Sequence, residues 1–245
     1  MIKWKDDNDI FGRMLVLTNN TLFNNLRNAV DNHDANLSDA LSWGQLKSKR
    51  WLVDELEKID LPLGTIFLCA GWYATLAAML FKSKCSIDKI RSFDIDDHCL
   101  EIADTINRDY VKIDWQFKAI TQDIMDINYN THTWQTWSKA NNRMSRDITD
   151  SPNTVINTSC EHIEDFAEWY SKIPNQTIVV LQSNNYFEIE DHINCSKNIL
   201  EFAKQTPMTD CLYSGVLELP KYTRFMRIGI KSVSYTHLRA HETKA

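Results

Sequence analysis

The feature that most constrains the fold is an alternation of two periodicities. Five short apolar runs, TIFLCA (65–70), KIRSFDI (89–95), DWQFKAI (114–120), NTVINT (153–158) and TIVVLQS (177–183), are interspersed with segments of helical spacing such as ATLAAMLFK, DHCLEIADTINRD and IEDFAEWYSKI. A further helical segment, INCSKNILEFAKQ, follows the fifth run. Parallel neighbours in a sheet need a crossover of a dozen or more residues, usually a helix, so the pattern reads as a parallel sheet with helices on both faces. Near the end, CLYSGVLELP and YTRFMRIGI are parted only by a short turn and read as an antiparallel pair. The polar stretch 128–152 is expected to be a loop or a short irregular helix beside the sheet.

Before the first strand the chain lacks strand-like runs. Leu22, Leu26 and Val30 fall four apart, and Leu46, Trp51, Leu52, Leu56 and Ile59 share one broad helical face. DLPLG (60–64) then ends the helix. With 245 residues, the chain suits one large domain with an appendage: a helical cap over 1–60 and an α/β domain over 61–231.

A hydrophobic content of 43% with 24% charged residues is that of a soluble globular protein. The longest apolar run, around 65–81, is broken by Gly71, Thr75 and a Trp-Tyr pair, so no membrane span is expected. The first twenty residues carry acids and no signal-peptide pattern, which makes a cytoplasmic location the expectation. The six cysteines are scattered without CxxC or other metal-ligand spacing, so reduced thiols and no metal site are expected. A net charge of −6, with no basic block longer than KSKR, argues against a nucleic-acid partner. SVSYTHLRAHET (232–243) breaks off from the strand before it and resembles the in-frame translation of a sequencing adapter. Residues 232–245 are therefore set aside as a non-native tail, with the natural C-terminus expected to be missing.

Ligands of open α/β sheets bind outside the carboxyl ends of the strands, near the point where strand order reverses. Gly71 ends the first run and could bring the backbone close to a ligand before a helix opens. Asp94 ends the second run, where a carboxylate can accept two hydrogen bonds from ribose hydroxyls. Asp96 and Asp97 behind it read as helix caps. Asp123 follows the third run, where a carboxylate can receive the exocyclic amine of an adenine; alone it is also an ordinary loop acid.

Together, Gly71, Asp94 and Asp123 resemble the cofactor-binding motifs of class I S-adenosylmethionine-dependent methyltransferases, over roughly residues 61–230. IRSFDIDDHCLEIAD is the best match, being similar to that family's second-strand motif. The resemblance implies a Rossmann-like three-layer α/β sandwich with a mostly parallel seven-stranded sheet and a C-terminal antiparallel hairpin. It also implies S-adenosyl-L-methionine as cofactor, contacted by Gly71, Trp72, Asp94, Asp123 and Ile124. Family members carry two or three spaced glycines after the first strand; here Cys69, Tyr73 and Thr75 stand beside Gly71. Trp72 and Tyr73 could set a ring near a positive sulfur or pack on the N-terminal helices.

After the fourth run, CEHI resembles the acid-histidine pair of many small-molecule methyltransferases. His162 could act as a general base on an acceptor hydroxyl or amine. TSCE also matches a capping box, with Thr158 as cap and Glu161 reaching back to it, and that is the favoured reading of Glu161. Cys160 lacks the proline-cysteine pattern of a pyrimidine-methylating nucleophile. Beyond the fifth run, Ser183, Asn184, Asn185, Tyr186 and His192 could orient an acceptor. The expected activity is methyl transfer to a small molecule or protein. An aminopropyl or aminocarboxypropyl transferase, a cofactor-cleaving enzyme and a non-catalytic binding module remain alternatives.

Overall fold

A computed structural model describes residues 20–33, 35–138 and 142–232. Most of the start inspected for a signal peptide and all but the first residue of the set-aside tail lie outside the described residues. Among the described residues, no helix is long and apolar enough to cross a membrane.

Helices α1 (Thr21–His33), α2 (Leu37–Ala40) and α3 (Trp43–Ile59) come first. Asn36 and Ser42 cap the second and third by accepting from the amides of Ser38 and Gln45. Asp60, left-handed at φ 54°, closes α3. Then come β1 (Gly64–Cys69), α4 (Thr75–Phe81), β2 (Ile87–Asp94), α5 (His98–Ile106), α6 (Arg108–Val111) and β3 (Phe117–Thr121). Strands β4 (His132–Trp134), β5 (Trp137–Ser138), β6 (Arg143–Met144) and β7 (Ile148–Asp150) precede β8 (Thr154–Asn157). The chain continues through α7 (Phe166–Lys172), β9 (Ile178–Asn184), α8 (Ile199–Gln205), β10 (Met208–Glu218) and β11 (Thr223–Lys231).

The expected class is the observed one: a Rossmann-like, mostly parallel sheet of seven strands in the order β10-β11-β9-β8-β1-β2-β3, finished by an antiparallel hairpin. Strand order reverses at β1. The stretch 128–152 departs from expectation. It is neither plain loop nor helix, because β4 pairs antiparallel with β7 and β5 with β6. The Trp134 indole donates to Asp150 Oδ2 at 2.8 Å, which fixes the first of these pairs.

The chain divides into two compact units. The first runs to Ile127 and adds Ile156–Thr158. In it Ile66, Phe67, Leu68, Ile90, Phe93 and Phe117 are buried, with the Phe67 and Phe93 rings 5.0 Å apart. Leu26 and Ala29 of α1 pack on Ala78 of α4 and on Ile102 and Ile106 of α5, with Trp72 and Tyr73 against the same cluster. Asn25 Nδ2 donates to the Ile106 carbonyl at 3.3 Å, tying α1 to α5. The second unit holds Asn128–Val155 and the chain from Ser159. Its core includes Trp169, Phe202, Val180, Phe225 and Ile228. The buried Trp169 indole donates to Tyr129 Oη at 2.8 Å.

Candidate functional site

Parallel pairing aligns Cys69 with Phe93 and Asp94 with Thr121, so β1, β2 and β3 end level with one another. The turns after these strands, carrying Gly71, Asp94 and Asp123, are therefore neighbours within the first unit.

The turn after β1 is unusual. Ala70, Trp72 and Ala74 have φ of 51°, 48° and 50°, a left-handed conformation that costs a residue with a Cβ on the order of 1 kcal/mol or more. The backbone shape suited to alternating glycines is thus present without them. Gly71 also carries a packing constraint, since a Cβ there would lie 2.1 Å from Ser92 Oγ on β2, and that oxygen would have to turn away. Its amide donates to the Phe93 carbonyl at 2.9 Å, pinning the turn to β2.

Asp94 is half-buried and joins three segments. Its Oδ2 accepts from the Trp72 amide at 2.7 Å, its Oδ1 from the Asp96 amide at 3.2 Å, and its carbonyl from the Gln122 amide at 2.8 Å. Asp96 accepts from the His98 amide at 3.0 Å, as expected of a cap, whereas Asp97 makes no capping bond. Asp123 is exposed and accepts from the Met125 amide at 2.8 Å, opening a 3-10 turn (Ile124–Asp126) whose first residue, Ile124, is buried.

Beside Asp94 lies a narrow cleft, too tight for a water-sized sphere, walled by Trp72, Ser92, Cys99, Leu100 and Ala119. Burial, and then the charges of Asp94 and Asp96, push the Cys99 thiol far up, so this wall is uncharged. A wider cleft of about 720 Å³ lies between the end of α1, Val30 to His33, and the start of α5. It shares Leu100 and Thr121 with the narrow one.

The second unit holds another polar group. Cys160–His162 is a 3-10 turn preceded by Ser159, with no side-chain capping bond. The expected capping box is not formed. Glu161 is buried, with its side chain 2% exposed, and its Oε1 accepts from Asn184 Nδ2 at 2.6 Å and from Arg224 Nη2 at 3.2 Å. A carboxylate removed from water requires a paired cation and hydrogen bonds more than a helix end requires a cap. The sheet supplies both donors at once, because Arg224 and Asn184 are register partners on β11 and β9.

His162 is exposed, and its Nδ1 donates to the Asp191 carbonyl at 3.0 Å. His192 Nδ1 donates to the Tyr186 carbonyl at 2.8 Å. A carbonyl only accepts, so in each neutral ring the lone pair is left on Nε2. The two rings meet edge to face with centroids 4.6 Å apart. Asn184 Oδ1 accepts from the Tyr186 amide at 2.8 Å and Asn185 Oδ1 from the Thr223 amide at 2.7 Å, so both amides brace the loop after β9. Tyr186 stacks on Tyr222 at 5.3 Å, and Ser183 and Cys160 are fully buried. The structure thus brings Gly71, Trp72, Asp94, Asp123 and Ile124 together in one unit, and His162, Asn184, Asn185, Tyr186 and His192 in the other. Arg224 escaped sequence reasoning. Its signal was a cation inside the apolar strand YTRFMRIGI, which demands a buried partner.

No protein-family profile matches the sequence, and no curated protein matches it significantly. Among solved structures, the chain is similar to the N-methyltransferase NodS from Bradyrhizobium japonicum WM9 in complex with S-adenosyl-L-homocysteine. That match has a TM-score of 0.56 at 8% identity and covers 86% of this chain and 99% of that one. It is also similar to magnesium protoporphyrin IX methyltransferase from Synechocystis PCC 6803 with bound S-adenosylmethionine. There the TM-score is 0.55 at 12% identity, covering 94% of this chain and 100% of that one. At such identities the likeness is one of fold.

Proposed function

We propose that this chain is an S-adenosylmethionine-dependent methyltransferase acting on a small molecule or a protein. The observation that carries the reading is Asp94, a half-buried carboxylate level with the Gly71 and Asp123 turns at the strand ends where sheet order reverses. The fold neighbours that hold S-adenosylmethionine or S-adenosylhomocysteine support it.

The donor set suits a nucleoside. Each oxygen of Asp94 accepts one backbone amide and keeps a second lone-pair direction for a ribose hydroxyl. Asp123, exposed beside the buried Ile124, offers a carboxylate to an exocyclic amine next to an apolar contact. The Gly71 and Trp72 turn lines the same end of β1. Space is the tighter condition. The narrow cleft is too tight to admit even a water-sized sphere, whereas pockets that enclose ligands of this size hold roughly 300–1,000 Å³, so a wall shifts on binding, or the ligand lies in the wider cleft beyond Leu100.

When bound, the cofactor supplies a methyl group on a positively charged sulfur. For the acceptor, the neutral form of His162 holds its lone pair on Nε2, the atom able to take a proton from a hydroxyl or amine. Asn184, Asn185 and Tyr186 shape the loop beside it, through which an acceptor would be oriented. Positioning supplies much of the rate of such a transfer, so no protein nucleophile is required.

The test is product analysis with cofactor labelled separately in the methyl group and in the amino-acid chain. Methyl label alone should appear in product. Label from the amino-acid chain alone would indicate aminopropyl or aminocarboxypropyl transfer and contradict the proposal.

A further inference from the structure

The pair of histidines and the buried glutamate share a property that a proton acceptor alone does not need. One ligand-capable atom from each of Glu161, His162 and His192 lies within 4.8 Å of the other two. Glu161 Oε1 is held by Asn184 and Arg224, yet Oε2 is buried with no hydrogen-bond partner among the described residues. An ionised oxygen left without a partner inside a protein is costly, and such an atom beside two imidazoles marks a place for a cation. The rings are arranged in the manner of metal ligands. Each donates Nδ1–H to a main-chain carbonyl, Asp191 for His162 and Tyr186 for His192, which fixes the tautomer and leaves Nε2 to coordinate.

We propose that Glu161 Oε2 and the Nε2 atoms of His162 and His192 bind one divalent first-row transition ion of the zinc or manganese class. Two imidazoles and one carboxylate on one side of an ion leave positions open for water or an oxygen ligand. Metal–ligand bonds of about 2.0–2.2 Å bring ligand atoms to about 3.3 Å from one another. The three side chains already offer ligand atoms within 4.8 Å of one another, so rotation of the exposed His162 and half-buried His192 closes the site while Glu161 stays anchored. Arg224 opposes a cation, but its charge is already matched by Glu161. The loop between Tyr186 and His192 adds the exposed acids Glu188, Glu190 and Asp191. An ion here uses the lone pair of His162 that would otherwise take a proton, so ion loading decides which role that ring plays. Sequence spacing concealed the site, since His192 stands 30 residues after His162 and no short motif joins them.

The test is a titration of the full chain, stripped with chelator, with Zn2+ alone by calorimetry and with Co2+ alone by visible absorption. It stands whether or not the protein transfers a methyl group. One tight equivalent is expected, with cobalt bands of a low-symmetry site, and with affinity lowered at least about a hundredfold in His162→Ala and in His192→Ala. Both changes are at accessible positions, and retention of the far-ultraviolet circular dichroism spectrum confirms folding. His98→Ala is the control for the exposed Asp96, Asp97 and His98 cluster and should leave the affinity unchanged. Absence of binding at 100-fold excess of either ion overturns the proposal. So does binding that survives His162→Ala/His192→Ala together.

Discussion

Glu161 and Arg224 form a buried ion pair, Oε1 to Nη2 3.2 Å, with side chains 2% and 5% exposed. Truncating one partner strands the other charge, which costs about 3–5 kcal/mol, whereas removing both charges is far milder. Arg224→Met should therefore lower stability to chemical denaturation by that amount. Glu161→Gln/Arg224→Met should recover most of it. A loss below about 1 kcal/mol for Arg224→Met would mean that the pair is not desolvated.

Gly71 faces Ser92 rather than open space. Gly71→Ala places a methyl 2.1 Å from Ser92 Oγ and should cost about 1–3 kcal/mol, with the melting temperature lowered accordingly. Adding Ser92→Ala removes the obstructing oxygen and should restore roughly half or more. Equal stability of the single and double variants would contradict this packing.

Ala70 sits at φ 51° and is half-buried, so glycine there relieves strain at little packing loss. Ala70→Gly should raise stability by about 0.5–1 kcal/mol, the reverse of the usual effect of this substitution. The check is a shift of the denaturation midpoint to higher denaturant with an unchanged slope.

Cys195 donates its thiol to Asn184 Oδ1 and to the Tyr186 carbonyl. Burial, with Glu161's charge behind it, pushes the thiol up to about 11. Because the thiolate is the reactive form, alkylation at pH 8 should run roughly 200-fold slower than for an ordinary cysteine of pKa near 8.5. The rate should climb about tenfold per pH unit toward 11. Glu161→Gln removes one of the raising causes and should speed it. Peptide mapping after timed iodoacetamide exposure reads this, and a fast, pH-independent reaction at Cys195 would contradict the geometry.

The parallel strands were legible because each is a short, nearly continuous apolar run between turn residues, and the closing hairpin because its two runs are long and contiguous. Boundaries moved where the backbone does something local. The third strand starts at Phe117 rather than near Asp114, since Asp114 and Trp115 take φ of 47° and 49°. The small pairs β4–β7 and β5–β6 were not legible. Two- and three-residue strands with polar letters have no period to detect. Asp94 could be placed from its position at a strand end alone. Glu161 could not, because a Thr-x-x-Glu pattern looks the same whether the glutamate reaches back to a helix start or across to an arginine 63 residues on.

Under the proposed function, Asp94 receives a nucleoside cofactor. Calorimetric titration with S-adenosylhomocysteine tests it most directly, on the native chain and on Asp94→Asn, which keeps an acceptor for the Trp72 amide and so preserves the turn. The expected result is one site per chain on the native protein and affinity lowered at least about tenfold in Asp94→Asn, with both proteins melting at similar temperatures. No binding by the native chain, or equal affinity in the two, would contradict it.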